Sequence, residues 1–264
     1  KQSGRYLNAD RVRPLDHTGD YFQVKGPLNV ARSPQGRPVV FHAGQSEAGL
    51  ELAAHAADCV FAVAGTLQQA QHITADLKAR AVRNGRSADS LKVLMSASIY
   101  PGATPEQAQQ LCDTLDALTS PAVALGNLSK LVCADLTGYD VDGPMPELPE
   151  EMEGASAPRK IINEWVRTGH PSIRDVYLRY SRTLGSPIFQ GSALQIADQM
   201  QAWYSAGACD GFLIGPAVMP TSLQLFTSQV IPELQRRGLF RTEYPGSTLR
   251  DIIDLPAPAN KFFS

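Results

Sequence analysis

The sequence has no strong net charge, no long apolar run and no closely paired cysteines, and each shortage excludes a class of protein. Its 24 lysines and arginines nearly balance 26 aspartates and glutamates, for a net charge of -2. A chain this neutral gives no electrostatic basis for a nucleic-acid partner. No apolar run approaches the roughly 18 residues of a membrane span, and no segment resembles a signal peptide. The sequence therefore predicts a protein that contacts neither nucleic acid nor membrane.

The cysteines exclude two further kinds of site. They are Cys59, Cys112, Cys133 and Cys209, and no two of them have the CxxC spacing. Such scatter gives no sign of a disulfide framework or of a zinc site, so no metal ion is predicted. It is typical of a reducing compartment, and the cytoplasm is the predicted location.

The residues that are present suffice for a folded core. Hydrophobic residues make up 43% of the 264 positions and charged residues 19%, which is typical of compact globular chains. A single α/β barrel can account for this length. The chain begins at Lys1 and its first methionine is Met95. We therefore expect a protein whose N-terminal part is missing, or a processed product.

Short apolar segments alternate with helix-forming segments along much of the chain. Uniformly apolar strands separated by helices are typical of a parallel sheet that is covered on both faces. The barrel-like strands number about four, near Val39, Val60, Val93 and Phe212. Ser or Thr residues, among them Thr66 and Thr104, stand where helix N-caps are expected. The sequence predicts the α/β class.

Residues 120–185 break this regularity. The segment 135–158 is rich in proline and acidic residues, which exclude a helix or a central strand over its first half. It is either a solvated linker or a lid over an active site, since long ordered loops often have that role. We expect two helices to follow, at 158–168 and 172–183.

The strongest local signal for binding is the turn formed by Ala43, Gly44, Gln45 and Ser46, between a predicted strand and a predicted helix. Free N–H groups at a helix start, the positive end of its dipole and a serine hydroxyl together can bind a phosphate. Gly44 would allow close approach of the backbone. The alternative is that Ser46 only caps the helix, which is the commoner role of such a serine.

Other polar residues are weaker candidates. His42 ends the strand before this turn, where α/β enzymes bind ligands, but a single histidine is more often a hydrogen-bonded core residue. No GxSxG or HExxH motif is present, so catalytic residues stay unassigned. Trp165 and Trp203 are expected to lie mostly in the core. Spacing alone would also allow a phosphosugar-binding barrel enzyme.

Several segments together resemble the bacterial luciferase-like flavin monooxygenases, and in particular the nitrilotriacetate, dibenzothiophene-sulfone and long-chain alkane monooxygenase group. The resemblance rests on segments distributed over nearly the whole chain: Asp16-His17-Thr18-Gly19-Asp20 through Gly26-Pro27-Leu28-Asn29, Arg32-Ser33-Pro34-Gln35-Gly36-Arg37-Pro38, Ala43-Gly44-Gln45-Ser46-Glu47, Ala208-Cys209-Asp210-Gly211-Phe212, Arg236-Arg237-Gly238-Leu239-Phe240 and Tyr244-Pro245-Gly246-Ser247.

The resemblance implies a (β/α)8 TIM-type barrel that binds FMN, with 135–158 as the family's insertion near the pocket. Reduced FMN would come from a separate flavin reductase, and the enzyme would use it with O2 to oxygenate a small organic substrate. The implied FMN phosphate contacts are Ala43, Gly44, Gln45 and Ser46. The family often has serine in place of Gln45, so one hydroxyl contact is not carried over. A homo-oligomer is also implied.

The family resemblance also implies that the barrel is incomplete. With about four strands, residues 1–264 would supply roughly its C-terminal half together with the insertion loop. Two alternatives stay open: an inactive remnant or a subunit that needs a partner, and a deazaflavin-dependent reductase of the same superfamily.

Overall fold

The computed structural model of the chain describes residues 4–150, 156–183 and 185–260. These residues form two compact units. One contains the residues up to Val39 together with those from Tyr244 onward, and the other contains Val40–Glu243. The second unit contains the parallel sheet and the turn at Ala43–Ser46. In the described part of the chain, no helix combines the length and apolar character needed to cross a membrane.

The described residues contain seven strands, five of them parallel. The strands are β1 (His17–Thr18), β2 (Gln23–Val24), β3 (Phe41–Ala43), β4 (Cys59–Ala62), β5 (Lys92–Pro101), β6 (Ile188–Gly191) and β7 (Gly211–Pro216). β1 and β2 form an antiparallel pair in the first unit. The other five form one sheet. The sequence count of about four was one short, because it omitted β6.

Helices follow the parallel strands, as the α/β class requires. They are α1 (Glu47–Ala56), α2 (Leu67–Arg83), α3 (Pro105–Leu118), α4 (Pro121–Leu131), α5 (Ser156–Gly169), α6 (Ile173–Thr183), α7 (Ala193–Ser205), α8 (Thr221–Leu225), α9 (Ile231–Arg236) and α10 (Leu249–Ile252). A π-helical turn, Phe226–Val230, joins α8 to α9.

The predicted N-caps are confirmed. The Thr66 hydroxyl accepts a hydrogen bond from the Gln69 N–H at 3.2 Å and begins α2. The Thr104 hydroxyl does the same for α3. A cap of this kind stabilises a helix by roughly 1 kcal/mol. The starts of α2 and α3 are thus fixed by local chemistry.

The order of the strands differs from that of a barrel in which each strand pairs with the next one along the chain. The Lys92 N–H donates to Asp58 O, and the Ser98 N–H donates to Pro187 O. Backbone groups of alternate residues in a strand point to the same edge. Lys92 and Ser98 are an even number of residues apart, so both point to one edge of β5. β4 and β6 therefore lie one after the other along that edge. β7 pairs with the opposite edge, over Leu94–Ile99. In a sequential barrel, β6 would instead lie between β5 and β7.

The two faces of β5 have different surroundings. Val93, Met95, Ala97 and Ile99 alternate along one face and are completely buried under helices. The residues between them are only partly buried. Phe41 on β3 is 50% exposed. The prediction that both faces are covered is therefore wrong for the second face, which borders a cavity.

The first part of the proline-rich loop is packed against helices. Leu136, Met145 and Leu148 are buried in an apolar cluster with residues of α4, α5 and α6. The Asn163 side chain, itself fully buried, accepts from the Leu148 N–H at 2.9 Å and donates to the Leu148 carbonyl at 2.6 Å. The solvated-linker interpretation is wrong for 135–150, and 151–155 lie outside the described residues. The two helices expected after the loop are confirmed as α5 and α6.

An ion-pair cluster at α9 gives a prediction about pH. Glu233 pairs with Arg236 and Arg237, and Arg237 also pairs with Asp198 on α7. Hydrogen bonds from Arg236 and then Arg237 lower the pKa of Glu233 from 4.5 to about 2. A lowered carboxyl pKa stabilises the folded state above the unfolded value, and this stabilisation is lost as pH falls toward the folded value.

We therefore expect Glu233→Gln to reduce stability at neutral pH and to approach the wild type between pH 4.5 and 2. Urea midpoints measured across this range check the prediction. Glu243→Gln, at an exposed position with no ion pair in the described part of the chain, is the control. A difference that persisted at the acid end would contradict the assignment.

Candidate functional site

The turn Ala43–Ser46 lies at the carboxyl end of β3 and leads into α1. Ser46 is the N-cap of α1, and its hydroxyl accepts from the Gly49 N–H at 3.2 Å. The Leu50 N–H bonds to the Ser46 carbonyl. Among the hydrogen bonds of the described residues, the N–H groups of Glu47 and Ala48 have no protein acceptor. The capping role expected as the alternative is present, and it leaves donors at the helix start for an anion.

The side chain of Gln45 is engaged elsewhere. Its Nε2 donates to the Val63 carbonyl at 3.0 Å, and the Val63 N–H donates to its Oε1 at 3.1 Å. Both groups of the amide therefore connect this turn to the segment after β4. Of the four predicted residues, Gln45 can offer a ligand its backbone only, and its side chain positions the turn. No local sequence signal could have identified this contact between residues 18 positions apart.

His42 lies directly under the turn. Its Nε2 atom is shielded from solvent and has no hydrogen-bond partner. A Cβ atom added to Gly44 would lie 2.9 Å from this nitrogen, and one added to Gly49 would lie 3.4 Å from it. The lack of side chains on these glycines thus allows the His42 ring to lie close against the backbone of the turn. The orphaned polar atom and the narrow glycine cradle fit a phosphate group, whose oxygens need close backbone approach.

The acidic residue in the first turn of α1 is neutralised. Glu47 would repel an anion, but Arg80 of α2 pairs with it at 2.6 Å. Arg80 also pairs with Glu51 and Asp76. The hydrogen bonds from Asn84 and then Arg80 lower the pKa of Glu51. Arg80 is therefore fully engaged, and any anion at the turn would be bound by the backbone N–H groups and the Ser46 hydroxyl.

Two cavities lie near the segment that Gln45 contacts. The smaller has a volume of about 590 Å³ and borders the partly covered face of the sheet. The Ser186 hydroxyl donates to the Ser96 hydroxyl there at 2.7 Å. The Tyr100 hydroxyl donates to the Arg182 carbonyl at 3.2 Å. This cavity combines apolar walls with a few hydroxyls, as small-molecule sites commonly do.

The larger cavity, of about 770 Å³, lies between the end of β4 and the start of β6. Asp116 and Arg182 form a two-point ion pair on the border of the two cavities. Trp165 and Trp203 both line the larger one. They were expected mostly in the core, and Trp203 does pack against Phe189, at 5.6 Å between ring centroids. Both rings nevertheless also form the cavity wall.

Two of the buried cysteines are poor nucleophiles. None of the four forms a disulfide. Burial raises the pKa of Cys209 to about 12 and also raises that of Cys112, so both thiols stay protonated and unreactive. No group of three or more histidine, cysteine and acidic side chains in the described ranges is arranged to hold a metal ion.

A parallel α/β sheet with a glycine-containing turn and a helix start at its carboxyl edge, beside two cavities, is typical of enzymes that bind small molecules. The chain belongs to the luciferase-like monooxygenase family, whose family model matches residues 5–209.

The chain is similar to proteins of the nitrilotriacetate group. It is 42% identical over 261 residues to component A of nitrilotriacetate monooxygenase from Aminobacter aminovorans, covering 98% of this chain and 58% of that protein. The structure of DmoA from Hyphomicrobium sulfonivorans superposes with a TM-score of 0.81 at 29% identity, covering 96% of this chain and 53% of that one.

A riboflavin lyase, RcaE, whose crystal structure contains a modified FMN and riboflavin, matches with a TM-score of 0.77 at 29% identity. The match covers 97% of this chain and 56% of that one. The chain thus spans somewhat more than half the length of these relatives.

Proposed function

We propose that this chain binds FMN as part of a two-component monooxygenase that uses reduced FMN and O2 to oxygenate a small organic substrate. The observation that carries the proposal is the anion cradle at Ala43–Ser46, with unpaired N–H groups above it and the shielded His42 Nε2 beneath it. Family membership supports it as well. When bound, reduced FMN supplies the reactivity toward O2 that protein side chains lack.

The residues of this chain would hold and orient that cofactor. The backbone of Gly44 and Gln45, the N–H groups at the start of α1 and the Ser46 hydroxyl would bind the phosphate. Gln45 would keep the turn fixed through its bonds to Val63. The walls of the neighbouring cavities would limit access of water to the reacting groups. Catalytic residues in the strict sense stay unassigned.

A separate flavin reductase is the proposed partner. The name of the Aminobacter relative, component A of nitrilotriacetate monooxygenase, supports a system of more than one protein. A homo-oligomer in the cytoplasm is part of the same proposal and rests on the resemblance and on the scattered cysteines, none of which forms a disulfide.

We also propose that β3–β7 and their helices form the later βα units of a (β/α)8 barrel, with residues 135–158 as an insertion beside its pocket. The succession of parallel strands and helices supports this. The proposal requires β6 to insert between β5 and β7 when the barrel closes. Spin labels on β6 and β7 would measure whether that rearrangement occurs.

The serine hydroxyl gives the first test of the flavin proposal. We expect Ser46→Ala to weaken FMN binding by about 1–2 kcal/mol, the range of a charge-assisted hydrogen bond. Quenching of FMN fluorescence on titration with the protein measures the affinity. Thr104→Ala, which removes the comparable cap of α3, controls for loss of a helix cap. Equal FMN affinity of Ser46→Ala and the wild type would leave Ser46 as a cap only.

A further inference from the structure

The larger cavity contains an arginine without an acidic partner. The Arg179 guanidinium lies 4.9 Å from the centroid of the Trp165 ring. In the described part of the chain, no carboxylate lies within ion-pair distance of it. Stacking on an indole face uses the π-surface of the guanidinium and leaves its in-plane N–H donors available. Those donors suit a planar, two-oxygen acceptor.

A second source of positive potential faces the same cavity. Thr66 and Leu67, at the start of the 17-residue helix α2, line it. The first turn of α2 contains no acidic residue. The Thr66 hydroxyl accepts a hydrogen bond from the Gln69 N–H, and the Gln69 side-chain oxygen accepts one from the Gly65 N–H. The N–H groups of Leu67 and Gln68 have no acceptor among the described hydrogen bonds, so this helix start can bind an anion.

The loop after β4 brings these two features together. A Cβ atom added to Gly65 would lie 3.6 Å from Arg179 Nη2, so the arginine lies against the backbone that leads into α2. The same loop contains Val63, which Gln45 holds. The cavity therefore lies next to Val63, to which the turn at Ala43–Ser46 is hydrogen-bonded. Neither Val63 nor the residues of that turn line the cavity.

The acidic residues of the cavity do not cancel this potential. Asp116 is neutralised by its two-point pair with Arg182. Asp175 accepts hydrogen bonds from the N–H and hydroxyl of Ser172 at the start of α6. It is the one acid on the described cavity wall without a cationic partner, and it would oppose an anion moderately.

We infer that this cavity binds a carboxylate group of a small organic molecule, held by Arg179 and the start of α2. This inference deepens the proposed function, because the carboxylate would belong to the molecule that is oxygenated. Trp165 is a positioning residue that fixes the plane of the guanidinium.

The test uses intrinsic fluorescence, because the only two tryptophans of the sequence, Trp165 and Trp203, both line the cavity. Trp203→Phe leaves Trp165 as the single reporter. Succinate is the probe, succinamide is its neutral match, and inorganic phosphate tests for a general anion site. FMN affinity is measured separately on every variant by flavin fluorescence.

We expect succinate to change the Trp165 emission in a saturable way and succinamide to have no effect. Arg179→Gln should weaken succinate binding by about tenfold or more, as for loss of a charged hydrogen-bond pair, with Arg179→Lys intermediate. Asp175→Asn should strengthen it by about two- to threefold through removal of a like charge. FMN affinity should stay within about twofold in all three variants.

Equal responses to succinate and succinamide, or equal affinity for succinate and phosphate, would overturn the inference. So would loss of FMN binding in Arg179→Gln with succinate binding intact, because Arg179 would then belong to the flavin site. Wild-type protein that binds succinate but no FMN would contradict the proposed flavin function and leave the carboxylate site standing.

Discussion

Gly102→Ala should destabilise the protein by about 3 kcal/mol or more, at the upper end of the effects of overpacking. An added Cβ would lie 2.4 Å from the Ala108 backbone nitrogen and 2.7 Å from the Thr104 carbonyl oxygen. These two atoms form a hydrogen bond of the first turn of α3. Backbone atoms cannot move aside as a flexible side chain can, so either α3 or the end of β5 must shift.

Urea unfolding followed by circular dichroism measures this loss. Gly126→Ala is the matched control, since this glycine lies inside α4 and an added Cβ would meet nothing within 4 Å. The control should stabilise α4 by about 0.5–1 kcal/mol through helix propensity. A Gly102→Ala protein as stable as the control would contradict a close contact between Gly102 and the first turn of α3.

Arg159→Met should cost about 3 kcal/mol or more, because it leaves several carbonyl groups without a donor. Arg159 is 2% exposed. It donates to the carbonyls of Val132 at 2.6 Å, Cys133 at 2.9 Å and Pro149 at 2.7 Å. One side chain of α5 therefore holds both the residues just before the proline-rich segment and Pro149 within it.

Hydrogen exchange of 133–150 gives the measurement for this residue, together with the urea midpoint. Exchange in that segment should accelerate in Arg159→Met more than in the sheet. Lys160→Met, at the exposed neighbouring position of the same helix, should leave both quantities near the wild-type values. Unchanged exchange in 133–150 would mean that the apolar cluster alone holds the segment.

The features that the sequence predicted correctly depend on residues close together in the chain. Thr66 and Thr104 cap the helices that follow them, and apolar runs form the strands. A cap needs only a hydroxyl and an N–H three residues away, so the sequence pattern contains the whole interaction. The strand-to-helix turn at Ala43–Ser46 was located for the same reason, and its binding of a phosphate stays a prediction.

The features that sequence reasoning missed depend on residues far apart. The contact of Gln45 with Val63 and the stacking of Arg179 on Trp165 join different elements. The placement of β4 and β6 along one edge of β5 is a matter of register across the sheet. Composition and spacing carry no information on such pairings. The proline-rich segment was misinterpreted in part because its buried leucines follow no helical or strand period.

The central claim is that the turn at Ala43–Ser46 binds the phosphate of FMN, and the ratio of FMN to riboflavin affinity tests it most directly, since riboflavin lacks only that phosphate. We expect the wild type to bind FMN about tenfold or more tightly than riboflavin. In Gly44→Val, whose Cβ would lie 2.9 Å from His42 Nε2, the ratio should fall toward one with riboflavin affinity little changed. The same ratio in both proteins would contradict the account.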